Sequence, residues 1–340
     1  MNLVCGEFKK IIMKIFKKIL FFSFIMIMWT AAKSQQMPLY SQYMMNRFLI
    51  NPAFAGSEGF TSFNLTARQQ WLGFENAPMT QAISGQTRIL KTSHISKSRS
   101  IHNRIRKRRP SGRVGVGGYM FNDRNGIVNR TGLQLTYAYH IFISDGQLSF
   151  GVSGTGYQFS IDKSDIILHD VQADPLVDGT KSTMFVPDAN VGIYYSYNPF
   201  YVGLSANQLF QSALKFGSDN SFGDYKMLRE YNFIAGYRYD MDNDFEIEPS
   251  FLLKTSESFR IQADINVRAY YKRDYWLGFS YRTGNALIAM VGVKVDKIYI
   301  GYAFDYSLSD IQKISYGSHE IMIGINLGDN SRRYRWLNRF

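Results

Sequence analysis

From residue 60 onward, apolar and polar side chains alternate in short blocks. In "FRIQADINVRAY" (259–270), Phe259, Ile261, Ala263, Ile265, Val267 and Ala269 alternate with Arg260, Gln262, Asp264, Asn266 and Arg268. A period of two makes such a block a β-strand with one apolar and one polar face. Fourteen blocks alternate wholly or nearly so: 60–70, 79–90, 112–122, 131–142, 146–159, 185–197, 200–210, 230–240, 244–254, 258–270, 274–283, 286–296, 298–308 and 317–327. Most exceed the roughly 5–6 residues of soluble strands and match the about 9–11 that a tilted strand needs to cross a bilayer. Length therefore favours a membrane barrel over the other reading, a soluble β-sandwich.

Turn lengths point the same way. If the first strand runs outward, the connections "ISDG", "YNP", "DMDND", "YKRD" and "VDK" all fall on the periplasmic side, and the longer 161–184, 211–229 and 309–316 fall outside. Short inner turns with long outer loops are the asymmetry of outer-membrane barrels. The expected fold is all-β: a transmembrane barrel of about 14 antiparallel strands over 60–330, preceded by a plug-like segment at 35–59 rich in Tyr and Phe. In "DFEIEPSFLLK" (244–254), Phe245, Ile247, Phe251 and Leu253 oppose Glu246, Glu248 and Lys254. A mid-membrane Arg facing lipid would cost roughly 2–4 kcal/mol. Glu246, Glu248, Arg260, Asp264 and Arg268 are therefore placed in the lumen, as a salt-bridged network or as the lining of a solute path. Two stretches fit badly. Residues 200–210 alternate poorly, which suits a buried strand or one touching a plug, and 91–111 makes a long inner connection.

The chain ends refine this picture. A Lys-rich start, the apolar run 19–30 and small residues Ala32 and Ser34 read as a signal peptide over 1–34, cleaved before Gln35. The only cysteine, Cys5, would leave with it, so no disulfide is expected. The net charge of +12 is local: residues 1–34 account for +5 and 91–109 for +8, leaving −1 elsewhere. That argues against a general nucleic-acid binder. The basic run Arg104, Arg106, Lys107, Arg108 and Arg109 is either a solvated linker or a periplasmic patch for anionic lipid, peptidoglycan or an acidic partner. The tail 331–340, with Tyr334, Trp336 and Phe340, is a disordered stub, an aid to insertion or a docking element.

No enzyme is expected. The five His show no metal-ligand spacing, "GVGGY" and "GTGY" lack the Lys-Ser/Thr of a phosphate loop, and no Gly-x-Ser-x-Gly elbow occurs. "DMDNDFE" lacks the glycine and terminal Glu of a calcium loop. No metal or cofactor is expected.

Residues 36–56, "QMPLYSQYMMNRFLINPAFAG", and 68–89, "RQQWLGFENAPMTQAISGQTRI", closely resemble the amino-terminal signature of the PorP/SprF family of outer-membrane proteins. The signature falls here on Tyr40, Gln42, Asn51, Pro52, Arg68, Gln70, Trp71 and Pro78, and the resemblance continues through 185–210 and "HEIMIGINL". The basic 91–111 stretch departs from the pattern. The resemblance implies an outer-membrane partner in type IX secretion and gliding. Its implied partners are a large secreted surface adhesin, engaged through its carboxy-terminal secretion domain, and other type IX components. The alternative is a plugged channel for small or apolar solutes.

Overall fold

The computed structural model describes residues 40–89, 113–144, 146–161, 182–211, 213–214, 225–242, 244–284 and 286–327. Residues 1–34, read above as a signal peptide, the basic run Arg104–Arg109, much of the 161–184 loop and the tail lie outside them. Fourteen strands follow: β1 (Thr61–Gln69), β2 (Met79–Ile89), β3 (Val114–Asn125), β4 (Val128–Ile143), β5 (Gly146–Ile161), β6 (Ser182–Tyr197), β7 (Phe200–Asn207), β8 (Glu230–Tyr237), β9 (Phe245–Ser256), β10 (Ile261–Tyr271), β11 (Tyr275–Arg282), β12 (Ala286–Val295), β13 (Ile298–Ser307) and β14 (Ser318–Leu327). Each pairs antiparallel with its neighbours in sequence, and β1 pairs with β14 from Thr61↔Leu327 to Gln69↔His319. The sheet closes into a barrel with no free edge, which is how a β-structure satisfies its backbone in lipid. Tyr239–Asp240 prolong the pairing with β9, and Ala213–Leu214 with Tyr225–Lys226 make a small ladder between β7 and β8.

Burial is inverted relative to a soluble protein. Along β1, Ser62, Asn64, Thr66 and Arg68 are buried while Phe63 and Leu65 are exposed. In β10, Asp264, Asn266 and Arg268 are buried and Ile261, Ile265 and Val267 exposed. Apolar residues form the outer wall, the arrangement a bilayer demands, while the lumen takes the polar residues together with an apolar cluster in which Tyr119, Phe121, Tyr157, Ile234, Leu252 and Ile288 pack with the amino-terminal segment.

One end of the barrel, the turn end, carries connections 144–145, 198–199, 238–244, 272–274 and 296–297, together with 90–113. The other, the loop end, carries 70–78, 162–181, 208–229 and 308–317. Three loop-end connections, 126–127, 257–260 and 283–285, are nevertheless short, so the length asymmetry is weaker than a strict alternation of short and long. β7 ends at Asn207, three residues before the sequence block does. Its inward residues Tyr201, Ser205 and Asn207 are buried, and Ser205 donates to the Ile50 carbonyl at 2.8 Å. Contact with the amino-terminal segment thus accounts for the poor alternation of 200–210.

Residues 40–60 precede β1 and form two short 3-10 turns, Arg47–Leu49 and Pro52–Phe54. The segment begins against β11, β13 and β14 at the loop end, where Tyr40 accepts from Arg282 and Ser41 donates to Asp305. It reaches the turn end at Gly56 and Ser57, whose carbonyls accept from Arg88 at the end of β2. The chain therefore runs the depth of the lumen before β1 returns along the wall.

Candidate functional site

The lumen holds the concentrated chemistry of the molecule, and the amino-terminal segment is bound into it residue by residue. With no period-two pattern, the segment must place its backbone polar groups on side chains of the wall. The backbone amides of Ser41 and Gln42 donate to the two carboxylate oxygens of Glu320 at 2.7 and 2.8 Å. Asn46 donates to Ser84 at 2.8 Å, and Asn266 to the Tyr43 hydroxyl. Asn51 caps the second turn by accepting from the Ala53 amide, while its Nδ2 donates to the carbonyls of Ile193 and Leu204. His140 Nε2 meets the Ala55 carbonyl at 3.1 Å. Close approach is needed as well. A Cβ at Gly151 would overlap the Ala53 backbone nitrogen, and one at Gly192 the Asn51 carboxamide oxygen. These strand glycines let the segment lie against the wall.

Charge is gathered at two levels. Toward the turn end, the fully buried Glu248 carboxylate accepts from Arg47 (2.9 Å), Arg238 (2.5 Å) and Arg268 (2.8 Å), with the Tyr201 hydroxyl at 3.0 Å. The Arg47 guanidinium also lies 3.8 Å above the Tyr201 ring, a cation–π contact out of bulk water. Glu246 pairs with Arg273 and, at 3.9 Å, with Arg238. Half-buried Glu58 lines the same space as Arg47, Arg238 and Lys294. Toward the loop end, Arg282 grips Asp264 at 2.8 Å, Arg68 holds Asp305 at 2.6 Å and faces Glu320 at 3.8 Å, and Arg130 pairs with Asp123 at 2.5 Å. Among the described residues no group of His, Cys, Asp and Glu is placed to hold a metal ion.

Of the charges expected in the lumen, Glu246, Glu248, Asp264 and Arg268 are buried there. Arg260 stands one residue before β10, at the loop-end turn and only half-buried. The signature residues divide in two. Tyr40, Gln42, Asn51, Pro52 and Arg68 are buried within the barrel or its segment. Gln70, Trp71 and Pro78 sit in the β1–β2 loop, where the Gln70 amide donates to the Pro78 carbonyl at 2.8 Å and the Trp71 amide to Ser318 at 3.1 Å. Sequence reasoning missed Arg47, Arg88, His140, Arg282, Asp305 and Glu320. The last three sit on the polar parity of alternating strands, so the signal was present; Arg47 lies where no periodicity exists.

The model of the family "Type IX secretion system membrane protein PorP/SprF" matches residues 32–325. Among solved structures, the chain is similar to the Acinetobacter baumannii outer membrane protein Omp33. Identity is 6%, 79% of this chain and 99% of that one are covered, and the TM-score is 0.44. It is also similar to the Pseudomonas putida toluene transporter TodX, at 10% identity, 83% and 92% coverage and a TM-score of 0.43. A Pseudomonas aeruginosa FadL homologue matches at 8% identity, with 81% and 91% coverage and a TM-score of 0.41. No curated protein matches the chain.

Proposed function

Because this chain belongs to the PorP/SprF family of type IX secretion system membrane proteins, we propose that it is an interaction partner for a large secreted adhesin, engaging the adhesin's carboxy-terminal secretion domain at the loop end. The observation that carries this reading is the occupied lumen. With the segment from Tyr40 to Ser57 hydrogen-bonded to the inward faces of β2, β4, β6, β7, β9, β10, β11, β13 and β14, the barrel's mouths and outer wall are the surfaces left for a macromolecule. The loop end offers a firm apolar edge. Loops 70–78 and 308–317 are joined by the Leu72 amide on the Gly317 carbonyl (2.8 Å) and the Tyr316 amide on the Leu72 carbonyl (2.7 Å). Leu72, Phe74, Ile314 and Tyr316 stay exposed on them, as an anchor cluster for a protein partner would. Other type IX components would then meet the turn end, with the basic run 104–109 available to them or to lipid.

The test is capture of the protein from gently solubilised outer membranes through a tag in the 162–181 loop. A co-purifying adhesin, lost when Phe74 and Tyr316 are both changed to Ser while the barrel still inserts, supports the reading. A barrel that emerges alone, even after crosslinking, overturns it.

A further inference from the structure

A cavity of about 100 Å³ opens inside the turn end, between the amino-terminal segment, Arg238 and β9–β14. Five cations line it, Arg47, Arg238, Arg268, Arg273 and Lys294, against two lining carboxylates, Glu58 and Glu246. Glu248, buried in the lumen and bonded to Arg47, Arg238 and Arg268, brings the acids to three, so the cations lead by two. The carboxylates of the neighbouring turns, Asp242, Asp244, Asp274 and Asp296, do not line it. Two features show donors in excess of acceptors in this recess. The Nε–H groups of Arg47 and Arg268, both residues almost wholly buried, meet no hydrogen-bond acceptor among the described residues. Lys294 forms no ion pair among them either, although its stem is half-buried in the wall. Buried donors without acceptors are costly, and an excess of cations in a recess of low dielectric focuses the field on an anion. The volume suits a small group: it exceeds several waters and falls below the roughly 150 Å³ in which an engineered cavity holds benzene.

We propose that this recess is a binding site for a small dianion, a phosphate or dicarboxylate reached from the turn end, clamped by Lys294 and Arg273 at the mouth and by Arg268 and Arg47 within. This site is separate from the proposed adhesin edge, which lies at the opposite end. Trp276 lines the recess and reports on it.

The mature protein, with Trp71 and Trp336 changed to Phe, is placed in lipid nanodiscs. It is titrated with inorganic phosphate, succinate and acetate at constant ionic strength set by sodium chloride. A saturable change in Trp276 emission with phosphate or succinate is expected, at least tenfold weaker with acetate. Lys294→Met should weaken it at least tenfold and Lys294→Arg should restore it, with the gel shift on boiling unchanged in both. Which dianion saturates identifies the oxyanion chemistry. A linear response to every salt, or equal binding by Lys294→Met and the parent, overturns the proposal.

Discussion

Glu248 has no solvent-exposed side-chain surface and faces three guanidiniums at 2.5–2.9 Å. A buried ion costs several kcal/mol to desolvate, and the cost is met only while its partners remain. Glu248→Gln removes the charge and leaves Arg47, Arg238 and Arg268 together. We expect a loss of about 3–5 kcal/mol in urea unfolding from lipid vesicles followed by tryptophan emission. Arg229 and Glu257, more than 30% exposed and 3.1 Å apart, provide the contrast: Glu257→Gln should cost about 0–1 kcal/mol. An equal loss in both variants would mean that the Glu248 cluster is no more than a surface pair. Glu248 itself was legible from the alternation of 244–254. Its partner Arg47 was not, because the 3-10 turn that carries it has no period from which a facing direction can be read.

At the scale of elements, the strands were readable and the segment's path was not. Period two places each strand to within about three residues, since a one-residue slip would turn every polar side chain to lipid. The segment's course depends on long-range hydrogen bonds from Asn46, Asn51 and Ser41 to strands far away in sequence, which no local pattern encodes. Its fit against β6 is open to a direct test. A Cβ at Gly192 displaces the Asn51 carboxamide, which caps the second turn and bonds both β6 and β7. Gly192→Val should therefore loosen the segment while leaving the outer wall intact. In planar bilayers the parent is expected to show little conductance, Gly192→Val intermittent openings, and deletion of residues 40–57 a large steady one. A parent that conducts permanently and at a large level would show that the segment does not close the lumen, and would favour the solute-channel reading.

Across the whole molecule, the two faces of the sheet live in different solvents, and one pair of adjacent residues exposes the consequence. In β4, Leu135 points outward and is 64% exposed, while Thr136 points inward and bonds Ser153 at 2.8 Å. For a sheet whose outer wall met water, Leu135→Arg would be a surface change worth within about 0.5 kcal/mol. For a wall in lipid, the same change places a guanidinium in the apolar band and costs about 2–4 kcal/mol near the midplane. The lumen contributes little to the difference, because the paired charges within it leave the outer face untouched. Leu135→Arg is expected to lower the urea midpoint in thick-chain lipid vesicles and to recover much of the loss in thin ones, where the band narrows around β4 and the side chain reaches the headgroups. Equal midpoints for variant and parent in both lipids would place Leu135 outside the hydrocarbon. The barrel's depth in the membrane would then have to be reassigned, with the exposed rows of β3 and β5 beside it.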